Sequence, residues 1–576
     1  MAEHPDVGYR EFVTWIVFGD PSLYVRTKAP DSMTVSHAGQ LAENQQGYLV
    51  EVPWIEGALC ALYADTTLYG SVLTDAAGNG LIALDSTPLA PDTLLLTVTA
   101  SNKVTYIDTV LVTQPTCIAK PDGSGDYATI QGAIDSVEVG TVIGLANGVF
   151  TGEGNRNLKD RSKAIKIMSL SGNPEQCIID CQSSERDYTC GFFFQYRGGR
   201  ESILSGITIR NAWGGGVEAG GAILCFHSSP TIVNCVLSDN VTHDPTGEWG
   251  VGGAMFCYEY AAPAVANCVF MGNSSNCGGG LFCDLESSPT ITDCIFTANS
   301  ADSLGGAIMC VRESSPTIAN CLFLNNSADS LGGAIVCLDS SPTISHCTFA
   351  YNVADAGAGI LVDEDCAIAV ESTIIAYCAE GEAIACMAGE CTVQLDCCDV
   401  YANAGGDYVG PISDMLGFDG NISQDPSFCM GLNPELPYTV SGDSPCAPYY
   451  NPVCGVVGSR PMGCEWVDEW VDVQPPSGEA NARRVLLSVE PNPSSGAQVV
   501  EYQIGYGTGL SSVSLNIFDA SGRLVRELAE TNQSPGVYRV AWDGNNRFGD
   551  PVDAGLYFCR LRSGGVEVTR TLVVVK

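Results

Sequence analysis

The sequence predicts an all-β protein built around a parallel β-helix, with a β-sandwich on either side of it. Three observations lead to this prediction. A cysteine recurs in the middle of the 576-residue chain at steps of 33, 26, 27 and 26 residues, a proline begins each unit, and an asparagine ends it. A fixed period of this size is typical of one structural unit stacked on copies of itself. The three columns are Cys235, Cys268, Cys294, Cys321 and Cys347; Pro230, Pro263, Pro289, Pro316 and Pro342; and Asn240, Asn273, Asn299, Asn326 and Asn352.

Each repeat contains very short strands and no helical spacing. Apolar residues alternate with period two, as at Cys321 and Phe323, and Ser, Pro, Asn and Gly separate the runs. We therefore expect each unit to be one turn of a coil, with every strand parallel to its copy about 4.8 Å away. The asparagine amides should bond one another along their column. Two inward columns are predicted, Phe270, Phe296, Phe323 and Phe349 in one and Met255, Leu281, Ile308 and Ile335 in the other.

These repeats resemble the right-handed β-helix repeats of bacterial surface proteins, over roughly residues 116–465. The segment at 120–131 resembles the opening of pectinesterase-type β-helices. A short helix is predicted to follow and to cap the open end of the coil, where a bare sheet edge invites aggregation. The resemblance implies a fold and no particular activity, because this fold hosts many functions. The apolar face of the capping helix consists of Ile130, Ala133, Ile134 and Val137.

Two segments precede the coil. Residues 31–115 show alternating strands between turn signals, which predicts a β-sandwich. Residues 1–30 include the sequence Gly-Asp-Pro-Ser-Leu from Gly19 and resemble the end of a gingipain-type peptidase domain, and residues 31–115 resemble the Ig-like domain that follows it. No cysteine and only His4 precede Gly19, so the nucleophile and base of that peptidase are missing. We expect the chain to begin inside a longer gene or to derive from a fusion that lost its protease.

Two segments follow the coil. Residues 466–484 contain a Pro-, Ser- and Gly-bearing stretch and are predicted to be a linker. Residues 485–576 show a second sandwich pattern, which is similar to the C-terminal sorting domains of type IX secretion and to the flagellar hook-capping Ig-like fold. The resemblance implies export, with the secretion and sorting machinery as partners, and an extracellular or outer cell-surface location. A plain Ig-like spacer is the alternative. The matching segments begin at Val489, Val513, Gly522, Trp542 and Gly555.

The charge balance excludes some classes of partner. The chain has 26 basic and 66 acidic residues, a net charge of −40. A nucleic-acid partner is excluded because phosphate binding needs a basic surface. Acidic polymers are repelled unless calcium bridges them to the protein. No stretch is long enough for a transmembrane helix, and no apolar signal peptide follows Met1.

Two groups can be distinguished among the 27 cysteines. Those in the repeat columns are expected to be free thiols, because stacked inward side chains point the same way instead of towards each other. Another group lies in irregular sequence rich in Pro, Gly and Ser, where we expect at least one disulfide. This group consists of Cys429, Cys446, Cys454 and Cys464.

No catalytic constellation is visible in the coil. The stretches typical of pectinesterases and polygalacturonases are absent, and Arg312 is the only Lys or Arg between positions 211 and 459. A basic group precedes this region, and we interpret it as surface ion pairs in preference to a catalytic cluster. Its members are Arg156, Lys159, Arg161, Lys163, Arg186, Arg197, Arg200 and Arg210, with Glu153, Asp160, Glu185 and Asp187 nearby.

Two candidate binding features remain. A second cysteine column follows the same period, and it consists of Cys225, Cys257, Cys283, Cys310 and Cys337. Carboxylates recur just after this second column, and stacked carboxylates either fan into solvent or hold a cation such as calcium. Two tryptophans, Trp213 and Trp249, are placed one coil apart and could form a glycan-binding edge or a packed loop. The candidate calcium ligands are Glu259, Glu286, Glu313, Asp339 and Asp365.

The leading prediction of function is a non-catalytic surface protein: an adhesive or structural module, or one that binds a glycan or another cell-surface polymer. Two alternatives stay open. One is a polysaccharide lyase or hydrolase on the β-helix, and the other is an inert fragment of a gingipain-like peptidase.

Overall fold

The computed structural model describes residues 30–460 and 485–574 in two compact units, divided at Val467. Residues 1–29 and the predicted linker at 466–484 lie outside the described residues, as do Trp249, Asp365 and Cys464. The gaps between described stretches are residues 65–66, 76–77, 85–88, 91, 186, 197–198, 216–219, 244–249, 364–365, 388–390, 430–437, 443, 449, 452, 491–497, 505–510, 520–522, 534–535, 548–551, 553–554 and 564–565.

The first unit opens with a β-sandwich, as the alternating pattern predicts. Its buried side chains include Leu41, Tyr48, Val50, Leu62 and Leu96. One sheet is antiparallel and contains Ser36–His37, Gly47–Glu51 and Asn79–Ala83. The other has the spatial order Gln40–Ala42, Tyr106–Thr113, Asp92–Thr99, Leu59–Ala64 and Thr67–Leu73.

This sandwich lies against the first turns of the coil. Asn44 Nδ2 donates to the carbonyl of Leu170 at 2.8 Å, and Gln46 Nε2 donates to the carbonyl of Gly172 at 2.6 Å. Ala42 packs in a small buried cluster with Val142 and Met168 of the coil. The first sandwich and the coil therefore form one continuous unit.

The capping helix runs from Ile130 to Ser136. The hydroxyl of Thr129 accepts from the backbone N–H of Gly132 at 3.1 Å, which satisfies a first-turn donor of the helix. Ile130, Ala133 and Ile134 are fully buried in the core of the coil. The predicted cap is confirmed, with Ile130, Ala133 and Ile134 on its apolar face, whereas Val137 follows the helix as its C-cap and is only partly buried.

The coil consists of parallel sheets that run its whole length, which confirms the predicted all-β solenoid. Sheet 1 contains Cys117–Ala119, Val142–Leu145, Lys166–Ser169, Ile203–Ser205, Thr231–Val233, Ala264–Ala266, Thr290–Thr292, Thr317–Ala319, Thr343–Ser345, Ala367–Glu371 and Thr392–Asp396. Sheet 2 contains Gly148–Phe150, Cys177–Asp180, Thr208–Arg210, Val236–Ser238, Val269–Met271, Ile295–Thr297, Leu322–Leu324, Thr348–Ala350, Ile374–Ala376 and Asp399–Tyr401.

The remaining strands of the coil form two further sheets. Sheet 3 contains Leu158–Lys159, Phe192–Gln195, Ile223–Phe226, Met255–Tyr258, Leu281–Asp284, Ile308–Val311, Ile335–Leu338, Ile360–Val362 and Ile384–Cys386. A short side sheet contains Trp213–Gly214, Val241–Thr242, Ser274–Cys277, Ser300–Leu304 and Ser327–Ala328.

Equivalent side chains stack along the coil in the predicted columns. The rings of Phe270, Phe296, Phe323 and Phe349 follow one another at centroid distances of 4.4, 5.0 and 4.5 Å. Met255, Leu281, Ile308 and Ile335 pair in register in sheet 3. The rungs are therefore in contact with their own copies, as the repeat period requires.

The asparagine column forms a continuous ladder of buried amides. Each Nδ2 donates to the Oδ1 of the asparagine one turn later at 2.9–3.0 Å. It also donates to a backbone carbonyl of the preceding turn, as Asn299 does to Phe270 at 2.9 Å. The amides thus satisfy polar groups of a turn that is closed to water.

Both repeating cysteine columns carry buried free thiols, as predicted. In the first column each Sγ donates to nearby backbone carbonyls, for example Cys294 to Thr292 at 3.1 Å. These cysteines act as small apolar fillers of the core.

The coil ends in an irregular tail after Tyr401, which includes the 3-10 helix Gly410–Ile412. Part of this tail folds back over the outer face of sheet 2. Val440, Cys446 and Val457 pack there against Ile374 and Ala376. The tail therefore covers apolar strand residues that would otherwise face water.

The second unit is a separate sandwich with Trp542 and Leu515 in its core. One sheet contains Val485–Glu490, Gln498–Ile504 and Gly536–Trp542. The other has the order Leu524–Gln533, Ser511–Asp519, Gly555–Ser563 and Val566–Val574. None of the helices in the described stretches of the chain has the length and apolarity needed to cross a membrane.

Candidate functional site

A cavity of about 460 Å³ lies beside the capped end of the coil. Loops of the first turns form it, because the chain there leaves the strict repeat and inserts extra residues between strands. Its walls combine carboxylates, a guanidinium, amides and an aromatic ring. The lining residues are Gln131, Glu153, Gly154, Arg156, Asn157, Asp187, Tyr188 and Thr189.

Arg156 is the central charged group of the cavity. Its Nη1 donates to the carbonyl of Cys181 at 2.9 Å, and its Nη2 lies 2.9 Å from Asp187 Oδ2. Only 23% of the Arg156 side chain is exposed. The guanidinium is therefore fixed in position, and its ion pair holds the loop that carries Asp187 against the coil.

The amides of the cavity are also held in place. Gln131 extends from the capping helix; its Oε1 accepts from the Lys159 N–H at 2.8 Å and its Nε2 donates to Asp135 Oδ1 at 2.8 Å. Asn157 Oδ1 accepts from the N–H of Cys190 at 2.9 Å. These contacts orient the amides before any ligand binds.

The aromatic wall of the cavity is the ring of Tyr188. Trp213 lies on the neighbouring segment of the same chain. Thr189 and Trp213 exchange two backbone hydrogen bonds of 3.0 and 3.2 Å, so the two loops are joined beside the cavity. Tyr188 is 53% exposed. A Cβ atom at Gly215 would lie 2.6 Å from Tyr188 Cδ1, so a glycine at 215 leaves room for the ring.

Glycine is also required at position 154, in the loop that carries Glu153. Gly154 has a φ of +82°, in the left-handed region, and a Cβ there would lie 2.9 Å from the Thr129 side chain. This close approach brings the loop carrying Glu153 onto the cap. Glu153 itself is exposed at the cavity wall.

The structure places one predicted glycan contact beside this cavity. Trp213 lies on the chain that pairs with Thr189, whereas Trp249 lies outside the described residues. The pairing of the two indoles therefore stays a prediction. No pattern in the sequence singles out Tyr188, although the run of glycines after Trp213 could have indicated close packing there.

The predicted column of five carboxylates is wrong in register. Its cysteines pair in one line, but Glu259 and Asp339 follow their cysteine by two residues, whereas Glu286 and Glu313 follow theirs by three. The carboxylates therefore divide into two lines. Among the described residues, no group of three or more His, Cys, Asp or Glu side chains is placed to share a metal ion. Calcium binding stays a prediction.

The interpretation of the basic group as ion pairs agrees with the described contacts. Arg161 Nε lies 3.0 Å from Asp135 Oδ1, and Arg210 Nη2 lies 3.0 Å from Asp180 Oδ2. Lys163 Nζ donates to carbonyls at the end of the capping helix, including that of Val137 at 2.9 Å. Arg186 and Arg197 lie outside the described residues.

Two members of the C-terminal cysteine group, Cys429 and Cys454, are in disulfides. Cys454 bonds to Cys397 of the coil and to no member of the group. Cys446 is a buried free thiol whose Sγ donates to Asp399 Oδ2 at 3.1 Å. Sequence could not show this, because the tail returns to the last turns only in three dimensions. A further disulfide joins Cys386 and Cys391.

Three family models match separate parts of the chain. The right handed beta helix region matches residues 248–369 and 274–421, the Peptidase family C25 C terminal ig-like domain matches residues 36–113, and the FlgD Ig-like domain matches residues 490–563. The right-handed β-helix and the two Ig-like domains are therefore confirmed. The sorting role of the last domain stays a prediction.

The similar curated proteins are gingipains of Porphyromonas gingivalis. Gingipain R1 is 28% identical over 175 residues, which are 29% of this chain and 16% of gingipain R1. Gingipain R2 is 35% identical over 105 residues, which are 18% of this chain and 14% of gingipain R2. The chain thus spans well under a fifth of the length of these relatives.

Solved structures match parts of the fold at low TM-scores. The Arg specific cysteine proteinase gingipain R is 34% identical over 17% of this chain and 22% of its own, with a TM-score of 0.16. Pectin methylesterase from carrot is 12% identical and covers 54% of this chain and 89% of its own, with a TM-score of 0.31. Tailspike protein 4 of bacteriophage CBA120 is 12% identical, covering 85% and 74%, with a TM-score of 0.28.

Proposed function

We propose that the protein is a non-catalytic glycan-binding β-helix that works outside the cell, and that the cavity beside Tyr188 holds one or two sugar rings. The observation that carries the proposal is an exposed aromatic ring next to fixed polar groups of both signs in one cavity. Its volume of about 460 Å³ lies within the range of small-ligand sites.

The chemistry of the walls suits a sugar. An exposed tyrosine face can stack on the C–H face of a pyranose ring. Arg156, Asn157 and Glu153 offer donors and acceptors for hydroxyl groups around it. The net charge of −40 favours an uncharged glycan over a uronate polymer.

Binding of neutral oligosaccharides to the full chain tests the proposal. After a glycan array identifies a ligand, calorimetry compares the wild type with Tyr188→Ala and Gly215→Ala, the second of which displaces the tyrosine ring. We expect each variant to weaken binding at least tenfold, about 1.4 kcal/mol.

The matched control is Tyr196→Ala. Tyr196 is exposed to the same extent as Tyr188, 53%, but follows the strand Phe192–Gln195 at its other end. Equal loss of binding in Tyr196→Ala and Tyr188→Ala, or no loss in either, would contradict the proposal.

A polysaccharide-active enzyme is the second candidate, and one observation favours it. The same cavity contains two carboxylates, Glu153 and Asp187, and glycoside hydrolases use a pair of carboxyl groups. Incubation of the bound glycan with the protein distinguishes the two functions. New reducing ends that disappear in Glu153→Gln and Asp187→Asn support the enzyme, and binding without product supports the module.

The extracellular location is part of the proposal and rests on the C-terminal domain. We expect the domain at 485–576 to be read by a secretion and sorting machinery. Antibody labelling of intact cells tests this. Surface labelling that is lost when residues 485–576 are deleted supports a sorting role, and unchanged labelling supports a plain spacer.

A further inference from the structure

A row of exposed side chains follows sheet 3 where each of its strands ends. We call this row the sheet 3 ridge. Backbone hydrogen bonds between successive turns divide the ridge into two adjoining lines. The N–H of Tyr196 donates to the Phe226 carbonyl and that of His227 to the Tyr258 carbonyl, which aligns Tyr196 and His227, whereas the N–H of Tyr260 donates to the Leu285 carbonyl and aligns Tyr260 with Glu286 one residue further along. The ridge consists of Tyr196, His227, Tyr260, Glu286 and Glu313.

The first half of the ridge is aromatic. The rings of Tyr196 and His227 stack with centroids 6.1 Å apart, and those of His227 and Tyr260 with centroids 6.0 Å apart. Tyr260 is 60% exposed. His227 Nε2 also lies 2.6 Å from Glu259 Oε2. Tyr260 therefore ends the aromatic stack beside the carboxylates of the next rungs.

The second half of the ridge is acidic. The N–H of Glu286 donates to the backbone carbonyl of Arg312, which aligns Glu286 with Glu313 on the next rung, about 4.8 Å away. Both are exposed. A hydrogen bond to Glu286, together with the charge of that carboxylate, raises the pKa of Tyr260. Two like charges at this spacing repel, and a bound cation would relieve that repulsion.

Arg312 lies next to Glu313 in the sequence but does not neutralise the Glu286 and Glu313 carboxylates. Arg312 is the only Lys or Arg between positions 211 and 459, and its guanidinium contacts Asp284 Oδ2. Asp284 is 3% exposed, and its Oδ1 has no hydrogen-bond partner among the described residues. Asp284 lies two residues before Glu286, so its buried carboxylate oxygen without a donor adds to the excess of acceptors at this end of sheet 3.

The chemistry favours an organic cation over a metal ion. The described part of the chain places no three acidic, cysteine or histidine side chains around one metal position. An ammonium or guanidinium group, by contrast, needs only a carboxylate and an aromatic face. Tyr260 supplies that face next to Glu286, because its N–H donates to the Leu285 carbonyl and so aligns the two residues on adjacent rungs. The ridge is a row and not an enclosed cup, which suits an extended chain lying across several rungs.

We propose that the sheet 3 ridge binds lysine or arginine side chains of a basic, extended polypeptide segment, with Tyr260 contacting the cation and Glu286 and Glu313 neutralising it. This site lies apart from the cavity at Tyr188 and does not depend on glycan binding. It gives the β-helix a second recognition surface, for a protein partner.

Calorimetry of the full chain with pentalysine tests the proposal at physiological ionic strength. We expect saturable binding that Glu286→Gln/Glu313→Gln weakens at least tenfold. Tyr260→Ala should weaken binding, whereas Tyr260→Phe, which keeps the ring, should restore most of it. Pentalysine with acetylated side chains should not bind.

The control is Asp329→Asn/Asp355→Asn, which removes the same formal charge at two other exposed carboxylates. If this control weakens binding as much as Glu286→Gln/Glu313→Gln does, net charge alone would explain the effect and the proposal would be overturned. Absence of pentalysine binding, or a chitosan tetramer that binds more tightly, would also overturn it. Unchanged melting temperatures establish that each variant is folded.

Discussion

Asn299 donates a hydrogen bond from Nδ2 to Asn326 Oδ1 at 3.0 Å, one turn further along the coil. Its own Oδ1 accepts from the N–H and the Nδ2 of Asn273, at 3.1 and 2.9 Å. The amide of each asparagine is thus shared by three successive turns. Because the asparagine recurs in each repeat, its side-chain hydrogen bonds join each rung to the next.

Removal of one amide from the ladder should therefore be costly. Asn299→Ala removes the amide donor to the Phe270 carbonyl and the buried acceptor of the Asn273 N–H and Nδ2, whereas Asn326 Oδ1 keeps the backbone N–H of residue 299. Each unsatisfied buried group costs about 1–3 kcal/mol, so we expect a loss of several kcal/mol in stability. Urea unfolding checks this. The exposed Asn147→Ala is the control and should change stability by less than about 0.5 kcal/mol.

The phenylalanine column should show a cost that depends on side-chain size. Phe323 stacks between Phe296 and Phe349 and is fully buried. Phe323→Ala should destabilise the coil by about 3–5 kcal/mol because it leaves a cavity, and Phe323→Leu by less. Thermal unfolding of both variants measures the difference. Equal melting temperatures for wild type and Phe323→Ala would contradict the stacked column.

Asp399 should make the stability of the coil depend on pH. Burial raises its pKa from 3.8 to about 7, and the charges of Asp407 and Asp425 add to the effect. Its oxygens accept from the Gln424 N–H at 3.0 Å and from the Cys446 thiol. Because the folded protein holds this proton more tightly than the unfolded chain, its stabilising effect is complete below about pH 4 and is lost as the pH rises through 7.

Asp399→Asn removes this titration. We expect the variant to gain stability relative to the wild type between pH 5 and pH 8, by no more than about 4 kcal/mol. Melting temperatures of both proteins at the two pH values measure the gain. A difference between the two proteins that is the same at pH 5 and pH 8 would show that Asp399 does not titrate in this range.

The thiols of the coil should be unreactive in the folded protein. Twenty-one of the 27 cysteines carry a free thiol in the described structure, and only Cys190 and Cys277 among them are not fully buried. Burial also raises the pKa of Cys177 and Cys398 to about 12, which removes the reactive thiolate. Titration with a thiol reagent should detect at most about two groups in buffer and about 21 in denaturant. Full reaction in buffer would contradict the inward columns.

The regular part of the coil could be predicted from the sequence, because period and side-chain alternation act locally. The stacking of Phe296 on Phe323 and the asparagine ladder follow directly from spacing. The acidic column was predicted incorrectly, since Glu286 stands one residue further from its cysteine than Glu259 and a shift of one residue changes the line.

The candidate site was less accessible to prediction. Tyr188 and Gly215 meet because two irregular loops are joined through the Thr189–Trp213 pair, and no period marks such a contact. The bond of Cys454 to Cys397 depends in the same way on the path of the tail across the coil. Contacts formed where the repeat is interrupted are therefore the ones that sequence reasoning could not predict.

A crystal structure of the protein with a neutral oligosaccharide, chosen from the array, tests the central proposal most directly. We predict a pyranose ring stacked on Tyr188, with hydroxyl groups bonded to Arg156 and Glu153. A sugar bound elsewhere on the coil, with the cavity at Tyr188 unoccupied, would contradict the account.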